Sequence, residues 1–348
     1  MRQRVTVVAA ALLVSASVVA RVVDSHSATF GFAALAMIPL AGILGDATED
    51  LAAHAGPRVG GLLNATFGNA AELIIGVFLV ARGEISVVRA SITGSIVGNL
   101  LLVLGASFLA GGLRHRELRF SAQAAGVGVA SMSLAVAGVI MPSIYGRGEH
   151  VTAFRIEAVS VGVAVVLLLL YAATLVYSLT GDDDSVAPPP EVARWSSTTA
   201  LIVLAVSGAL VALESELLVG ALEPTVRSLG LSRLWVGLIL VPIVGNAAEH
   251  STAVRAAVKE QTDLALQIAV GSSAQVALVV TPMLVFAGLA FGHHLTLNFS
   301  AFDIGAIALS VAVVAFIVLD GRSNWLEGSQ LLGVYVILAV TSFYLGQR

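Results

Sequence analysis

GNAAEL at residues 68–73 and GNAAEH at residues 245–250 are two copies of one motif, and each copy lies inside a long apolar stretch. The glutamates of the two copies, Glu72 and Glu249, are 177 residues apart. A Gly-Ser pair further along, at 94–95 and again at 271–272, keeps the same offset. Because two separate motifs share one register, the chain is predicted to contain an internal repeat.

Composition places these motifs in a lipid bilayer. Of 348 residues, 57% are hydrophobic and 11% are charged, and the mean hydropathy is +0.95; soluble domains are roughly 25% charged. A transmembrane helix needs about 20 apolar residues. Eleven candidate segments are centred on residues 5–23, 30–52, 60–81, 86–111, 120–142, 153–179, 196–220, 231–254, 265–290, 298–319 and 328–346. We therefore predict an all-α polytopic membrane protein with about eleven transmembrane helices.

The repeat divides the chain into four parts. We assign residues 1–25 to an N-terminal transmembrane helix, 26–180 to a first five-helix repeat, 181–195 to an acidic, proline-rich linker, and 196–348 to a second five-helix repeat. The two motifs are five spans apart, which is an odd number, so the second copy must cross the membrane in the opposite sense. Inverted repeats of this kind are typical of secondary transporters, whose ion site lies near the bilayer midplane.

Charge and cysteine content narrow the possible functions. Alternating the loops between two sides gives ten Arg and Lys residues on the side of the N-terminus and eight on the other, which predicts a cytoplasmic N-terminus in the cytoplasmic (inner) membrane. The first apolar stretch could alternatively be a signal peptide. The net charge of −4 argues against nucleic-acid binding, and the absence of cysteine excludes thiolate metal sites. No cofactor is expected, and a homo-oligomer is compatible with the sequence.

The two glutamates are the strongest functional candidates. An ionisable side chain inside an apolar span is expensive and marks a functional site by default. Asn69 and Asn246 each precede their glutamate by three residues, so on a helix the amide and the carboxylate share one face. The alternative is that each glutamate caps a helix or pairs with a buried arginine, although neither motif contains an arginine.

Small residues and proline predict bends at the same places. Gly68 and Gly245 allow the helix to bend, and Pro242 removes a backbone donor, so freed carbonyl groups could also bind a cation. Oxygen ligands without thiolate favour Ca²⁺ or a related cation, and two carboxylates neutralise a divalent ion. Because protons compete with a cation for the same carboxylates, the site predicts exchange of Ca²⁺ for H⁺.

The motifs also resemble a known family. LNATFGNAAELII at 63–75 and GSIVGNLLLVLG at 94–105 are similar to the first α-repeat of the Ca²⁺/cation–proton antiporters (CAX family), and PIVGNAAEH at 242–250 with GSSAQ at 271–275 is similar to the second. The resemblance covers nearly the whole chain and implies H⁺-coupled Ca²⁺ export by alternating access. One position departs from the family pattern, because Gly98 stands where a serine is expected before the asparagine.

The resulting ligand prediction combines charged and neutral groups. Glu72 and Glu249 are expected to bind Ca²⁺ or protons. The residues expected to complete the shell are Asn69, Asn246, Ser95, Asn99, Ser272, Ser273 and Gln275.

Two other functions stay open. A Na⁺-coupled Ca²⁺ exchanger would have the same plan, but that branch often carries an additional acidic residue on the second helix of a repeat, where this chain has only neutral side chains. An intramembrane metal-dependent enzyme is the alternative from another class, and it would need a His-Glu-x-x-His pair or a Ser/His dyad that the chain lacks.

Further polar residues flank the motifs. His250 follows Glu249 and is a candidate for tuning or relaying protons, with a packed, hydrogen-bonded histidine as the alternative. Glu49, near the end of the second span, resembles a family residue and is a candidate for the proton path, with a solvated helix end as the alternative. Glu214 and Glu216 hold an analogous place in the seventh span and are expected to line a cation vestibule.

Overall fold

A computed structural model describes residues 2–148, 151–180 and 194–345 of the chain. Most of the predicted linker, residues 181–193, lies outside the described residues. The helices of the first half are α1 (Arg2–Val22), α2 (His26–Phe67), α3 (Ala70–Ala81), α4 (Ile85–Val97), α5 (Leu104–His115), α6 (Ala122–Tyr145) and α7 (Ala153–Thr180). Those of the second half are α8 (Ser197–Leu229), α9 (Arg233–Trp235), α10 (Val241–Gly245), α11 (Ala247–Val258), α12 (Thr262–Gln275), α13 (Thr281–Phe291), α14 (Ala301–Ile317) and α15 (Trp325–Leu345).

Segments of π-helix join several of these helices. They are Gly98–Val103 between α4 and α5, Val236–Leu240 between α9 and α10, and Val276–Val280 between α12 and α13. Two short strands, β1 (Glu117–Arg119) and β2 (Arg322–Asn324), pair antiparallel with Leu118 opposite Ser323. The fold is otherwise helical, as the composition predicts.

The helices match the predicted apolar segments, but the predicted number of crossings is not reproduced. Among the described residues, eight helices are long and apolar enough to cross a bilayer, or nine if a pair bent by 63° at Asn246 counts as one span. The segments predicted at 60–81 and 298–319 contain the shorter helices α3 and α14, of 12 and 17 residues. Both are too short to cross a bilayer alone, since a 30 Å core requires about 20 residues.

The described residues form two compact units. Unit 1 contains the described parts of Met1–Phe78, Leu168–Leu229 and Val244–Ala248. In this unit α2 packs along α8, and α1 packs against both. The face of α1 that is buried carries small residues, Ala10, Ser17 and Ala20, which allow close approach between membrane helices.

Unit 2 contains the described parts of Leu79–Leu167, Gly230–Ile243 and Glu249–Arg348. Glycines set its closest helix contacts, as the sequence predicts. A Cβ added at Gly105 would lie 3.1 Å from the carbonyl oxygen of Gly328, so α5 and α15 approach through their backbones. A Cβ at Gly111 would lie 2.9 Å from the carbonyl oxygen of Ala257 on α11.

Element boundaries repeat with the motif register. Helices α3 and α11 begin at Ala70 and Ala247, α4 and α12 at Ile85 and Thr262, and α5 and α13 at Leu104 and Thr281. Each pair is 177 residues apart, as Glu72 and Glu249 are. The turns before α4 and α12 also correspond, because Gly83 and Glu260 both have left-handed φ angles, of 73° and 63°. The duplication in sequence therefore extends to local structure.

Candidate cation and proton site

Both motifs interrupt a helix. In the first copy, α2 ends at Phe67, residues Gly68 and Asn69 form a turn, and α3 begins at Ala70. In the second copy, α10 ends at Gly245 and α11 begins at Ala247, with Asn246 at the break. The interruption therefore includes the asparagine of each motif.

Because the helices restart there, each glutamate lies in the first turn of a new helix. Glu72 occupies this position in α3, and Glu249 occupies it in α11. The first backbone N–H groups of a helix have no partner within it, and the helix dipole is positive at this end, so the position favours a negative charge. Broken transmembrane helices use such ends to hold ions.

In unit 1, the first motif contacts the second. A Cβ added at Gly245 would lie 3.4 Å from Cγ of Glu72 and 3.7 Å from its Cδ, so the Glu72 side chain packs on the backbone of Gly245. The carbonyl oxygen of Asn69 accepts a hydrogen bond from the Leu73 N–H at 3.0 Å, which caps the start of α3. Asn69 and Asn246 are both buried, at 3% and 1% exposed.

In unit 2, hydrogen bonds join three of the predicted residues. The Asn99 amide donates to the Ser272 hydroxyl oxygen at 3.0 Å, and the Ser272 hydroxyl in turn is hydrogen-bonded to the Glu249 carboxylate. The other Glu249 oxygen, Oε2, is buried and has no hydrogen-bond partner among the described residues. A buried carboxylate oxygen without a partner is costly and suits a cation or a proton.

The remaining predicted ligands lie on the same helices of unit 2. Ser95 on α4 and Ser273 on α12 are buried, while Gln275, at the end of α12, is partly exposed. The Ser273 hydroxyl lies 2.9 Å from the carbonyl oxygen of Ala269 and 3.4 Å from that of Ile96 on α4. Ser273 is therefore engaged with backbone carbonyls in this structure.

π-Helical segments begin directly beside these residues. Asn99 lies in the segment that follows α4, and Gln275 is the residue before the segment that follows α12. A π-helical turn displaces the regular hydrogen-bond pattern of an α-helix and is frequent at functional sites. Gly98, where the resemblance leads to an expected serine, is buried, and a Cβ added there would meet no heavy atom within 4 Å.

Pro242 and His250 have different surroundings. Pro242 lies in α10, where its ring packs on Gly94 of α4; a Cβ at Gly94 would lie 2.6 Å from the Pro242 Cγ. Pro242 thus contributes to a close helix contact in unit 2 as well as removing a backbone N–H. His250 is partly buried in the first turn of α11, beside Glu249 in sequence.

Glu49 belongs to a cluster of charges in unit 1 that sequence reasoning missed. Its carboxylate lies 3.5 Å from the Arg194 guanidinium, and the Asp46 carboxylate lies 3.4 Å from the same group. Asp50, 3% exposed, accepts hydrogen bonds from the backbone N–H groups of Arg194 and Trp195 at 3.1 and 3.0 Å. These partners are about 145 residues apart along the chain, so no local pattern pairs them.

The donor set is suited to a hard cation. Carboxylate, amide, hydroxyl and carbonyl oxygens are the ligands that Ca²⁺ prefers. Among the described residues, no three or more His, Asp or Glu side chains are grouped so that they could hold a metal ion by themselves. Neutral oxygen atoms would therefore have to supply most of the coordination.

Comparisons with known proteins agree with this chemistry. The chain matches the sodium/calcium exchanger protein family over residues 25–180 and 199–344. It is 44% identical to a Ca²⁺/H⁺ antiporter of Aphanothece halophytica over 338 residues, which cover 90% of this chain and 89% of that protein. It is 39% identical to the Ca²⁺/H⁺ antiporter ChaA of Bacillus subtilis, over 96% of this chain and 98% of the other. Native YfkE, a solved structure, matches with a TM-score of 0.86 at 35% identity and covers 97% of this chain and 99% of its own.

Proposed function

The chain belongs to the sodium/calcium exchanger protein family, and we propose that it is a secondary antiporter that exports Ca²⁺ in exchange for H⁺ by alternating access. The observation that carries this proposal is the duplicated carboxylate, placed in each half of the chain in the first turn of a helix that restarts inside the membrane. Relatives named Ca²⁺/H⁺ antiporters, at 44% and 39% identity over most of the chain, support the same ions. The protein is a transporter and not an enzyme.

We propose that Glu72 and Glu249 carry the charge that neutralises Ca²⁺. Asn69, Asn246, Ser95, Asn99, Ser272, Ser273 and Gln275 are the proposed neutral ligands. The unpartnered Oε2 of Glu249 and the buried asparagines support this assignment. When Ca²⁺ leaves, the same carboxylates take up protons, because an ionised carboxylate in an apolar span is costly without a counter-ion. That competition couples the two ions.

H⁺ coupling is favoured over Na⁺ coupling by the neutral residues of unit 2. On α4, α12 and the π-helical segment after α4, the candidate ligands are Ser95, Asn99, Ser272, Ser273 and Gln275, which carry no charge. Binding several Na⁺ ions together would be easier with an additional fixed negative charge. His250 and Glu49 are proposed to tune or conduct the protons rather than to bind Ca²⁺.

Driven uptake of ⁴⁵Ca²⁺ into proteoliposomes tests the proposal. We expect an imposed pH gradient to drive uptake and a protonophore to abolish it, whereas a Na⁺ gradient of the same size has no effect. No nucleotide or cofactor is added, because the ion gradients are proposed to supply all the energy. Uptake driven only by Na⁺ would place the protein among Na⁺-coupled exchangers and overturn H⁺ coupling.

We also propose that the repeats are inverted, with the N-terminus in the cytoplasm and the protein in the cytoplasmic membrane. The matching helix boundaries, 177 residues apart, support two copies of one unit. The chain has no cysteine, so single cysteines can be introduced without a background. In intact cells, Arg82→Cys and Lys259→Cys, which are 177 residues apart in corresponding exposed turns, should react with a membrane-impermeant maleimide on opposite sides. Labelling of both from one side would contradict inversion.

A further inference from the structure

Glu214 is a buried acidic side chain that the proposed transport site does not use. It lies in the middle of the apolar helix α8 of unit 1 and is 0% exposed. Its Oε1 lies 2.8 Å from the hydroxyl oxygen of Ser17 on α1, and its Oε2 is buried without a hydrogen-bond partner among the described residues. The residue therefore does not line an open vestibule, as its position in the sequence suggests.

Counting hydrogen atoms at Ser17 fixes where a proton must be. The Ser17 hydroxyl oxygen lies 2.8 Å from Glu214 Oε1 and also 2.8 Å from the carbonyl oxygen of Val14. A serine hydroxyl carries one hydrogen atom and can fully satisfy only one of two acceptors. If Glu214 is a carboxylic acid, its O–H donates to Ser17, and the Ser17 O–H donates to Val14. Both short contacts are then hydrogen bonds.

No counter-charge offers an alternative to that proton. Glu214 forms no ion pair with any described residue. The basic and histidine side chains on the three packed helices are Arg4, Arg21, His26, His54 and Arg227, and the acidic ones are Asp46, Glu49, Asp50, Glu216 and Glu223. Arg21 lies beside Asp24, and Arg227 is paired with Glu223. An ionised Glu214 would thus be a buried charge with a single hydrogen bond, which is strongly unfavourable.

We propose that Glu214 is a proton-binding site of unit 1, and that its resident proton holds α1 against α8. The surrounding buried face of α1 consists of small side chains, which fix the distance between helices but not their register. The Glu214–Ser17–Val14 chain of hydrogen bonds supplies that register. This proton is separate from the protons exchanged for Ca²⁺, so the inference goes beyond the proposed function and does not depend on it.

Infrared difference spectroscopy of the purified full-length protein tests the proposal. At neutral pH, we expect Glu214→Gln to remove the C=O stretch of one protonated carboxylic acid relative to the wild type. That band should persist in saturating Ca²⁺, because the proton is not exchanged. Ser17→Ala, which keeps Glu214, should shift the band to higher frequency because the hydrogen bond to Ser17 is lost. Glu49→Gln is the matched control and should remove only ionised carboxylate bands, since Glu49 lies beside Arg194.

Three results would overturn the proposal. Loss of ionised carboxylate bands in Glu214→Gln would show that Glu214 carries a charge. Disappearance of its acid band on addition of Ca²⁺ would show that the proton is exchanged. If Glu214→Gln does not fold, an unchanged acid band in Ser17→Ala would show that Ser17 does not bind the proton of Glu214. None of these results depends on whether the pH gradient drives uptake.

Discussion

The side chain of Glu72, from the first motif, packs against the backbone of Gly245, from the second. Both residues belong to unit 1, and a Cβ at position 245 would lie 3.4 Å from Cγ of Glu72. The glycine of one repeat thereby sets the space available to the carboxylate of the other. This contact gives the glycine in the motif a role in placing the carboxylate, in addition to any bending of the helix.

Enlarging residue 245 should displace Glu72. We expect Gly245→Ala to be tolerated, because 3.4 Å is an ordinary van der Waals distance, and Gly245→Val to weaken apparent Ca²⁺ affinity on the order of tenfold, which is about 1.4 kcal/mol. The concentration dependence of ⁴⁵Ca²⁺ uptake measures this change. Gly220→Val, at an exposed position of α8 with open space around it, is the control. Equal affinity in Gly245→Val and the wild type would contradict this role of the contact.

Two glycines of one continuous helix should respond oppositely to alanine. A Cβ at Gly94 would clash with the Leu238 carbonyl group and with Pro242, whereas a Cβ at Gly98 would enter open space. Overpacking a tight contact costs about 1–3 kcal/mol, so we expect Gly94→Ala to lower the unfolding temperature and Gly98→Ala to leave it nearly unchanged. Thermal unfolding in detergent measures both variants. The packing argument fails if the two variants are equally stable.

The open space at Gly98 allows a hydroxyl ligand to be restored. Gly98 precedes Asn99, whose amide already contacts Ser272. We expect Gly98→Ser to raise apparent Ca²⁺ affinity several-fold, because a hydroxyl oxygen is a suitable ligand for Ca²⁺ and the side chain has room. Gly98→Ala separates the effect of the hydroxyl from that of the added volume. An affinity equal to that of Gly98→Ala would place the hydroxyl outside the ligand shell.

Asp50 should contribute to stability, whereas the neighbouring Glu49 should not. The Asp50 carboxylate accepts two backbone N–H groups at the start of the chain leading into α8, and its side chain is 4% exposed. Losing these bonds in Asp50→Ala should cost about 1–3 kcal/mol of unfolding free energy. The Glu49 side chain is 43% exposed, and its contact with Arg194 is worth at most about 1 kcal/mol. Denaturation that affects both alanine variants equally would contradict this distinction.

Sequence periodicity and composition were sufficient for part of this structure. Apolar length predicted each helical segment, since the bilayer requires such stretches, and the duplicated GNAAE motif predicted the interruption at Gly68 and the matching register of α3 and α11. The place of each glutamate in the first turn of a helix was not predicted, because exact helix ends depend on the packing around them. The partners of Asp50 and Glu214 were also missed, since Arg194 and Ser17 are far away in sequence.

The π-helical segments show another limit of sequence reasoning. Residues 98–103 and 276–280 are apolar runs apart from Asn99, and nothing in their composition distinguishes a π-helix from an α-helix. Their positions differ by about one residue from the repeat offset, so the packing of each copy must decide where the wider turn falls. A pattern of residue types does not specify such a local adjustment.

The most direct test of the central claim compares charge-neutral variants in one transport assay. Proteoliposomes containing wild-type protein, Glu72→Gln, Glu249→Gln or the control Glu223→Gln receive the same pH gradient, and initial ⁴⁵Ca²⁺ uptake is measured. Glu223 is paired with Arg227 on α8 and is not a proposed ligand. We expect uptake by the wild type and the control, and background uptake by Glu72→Gln and Glu249→Gln although both remain folded. Wild-type uptake by either motif variant would show that its carboxylate is not required for the exchange of Ca²⁺ for H⁺.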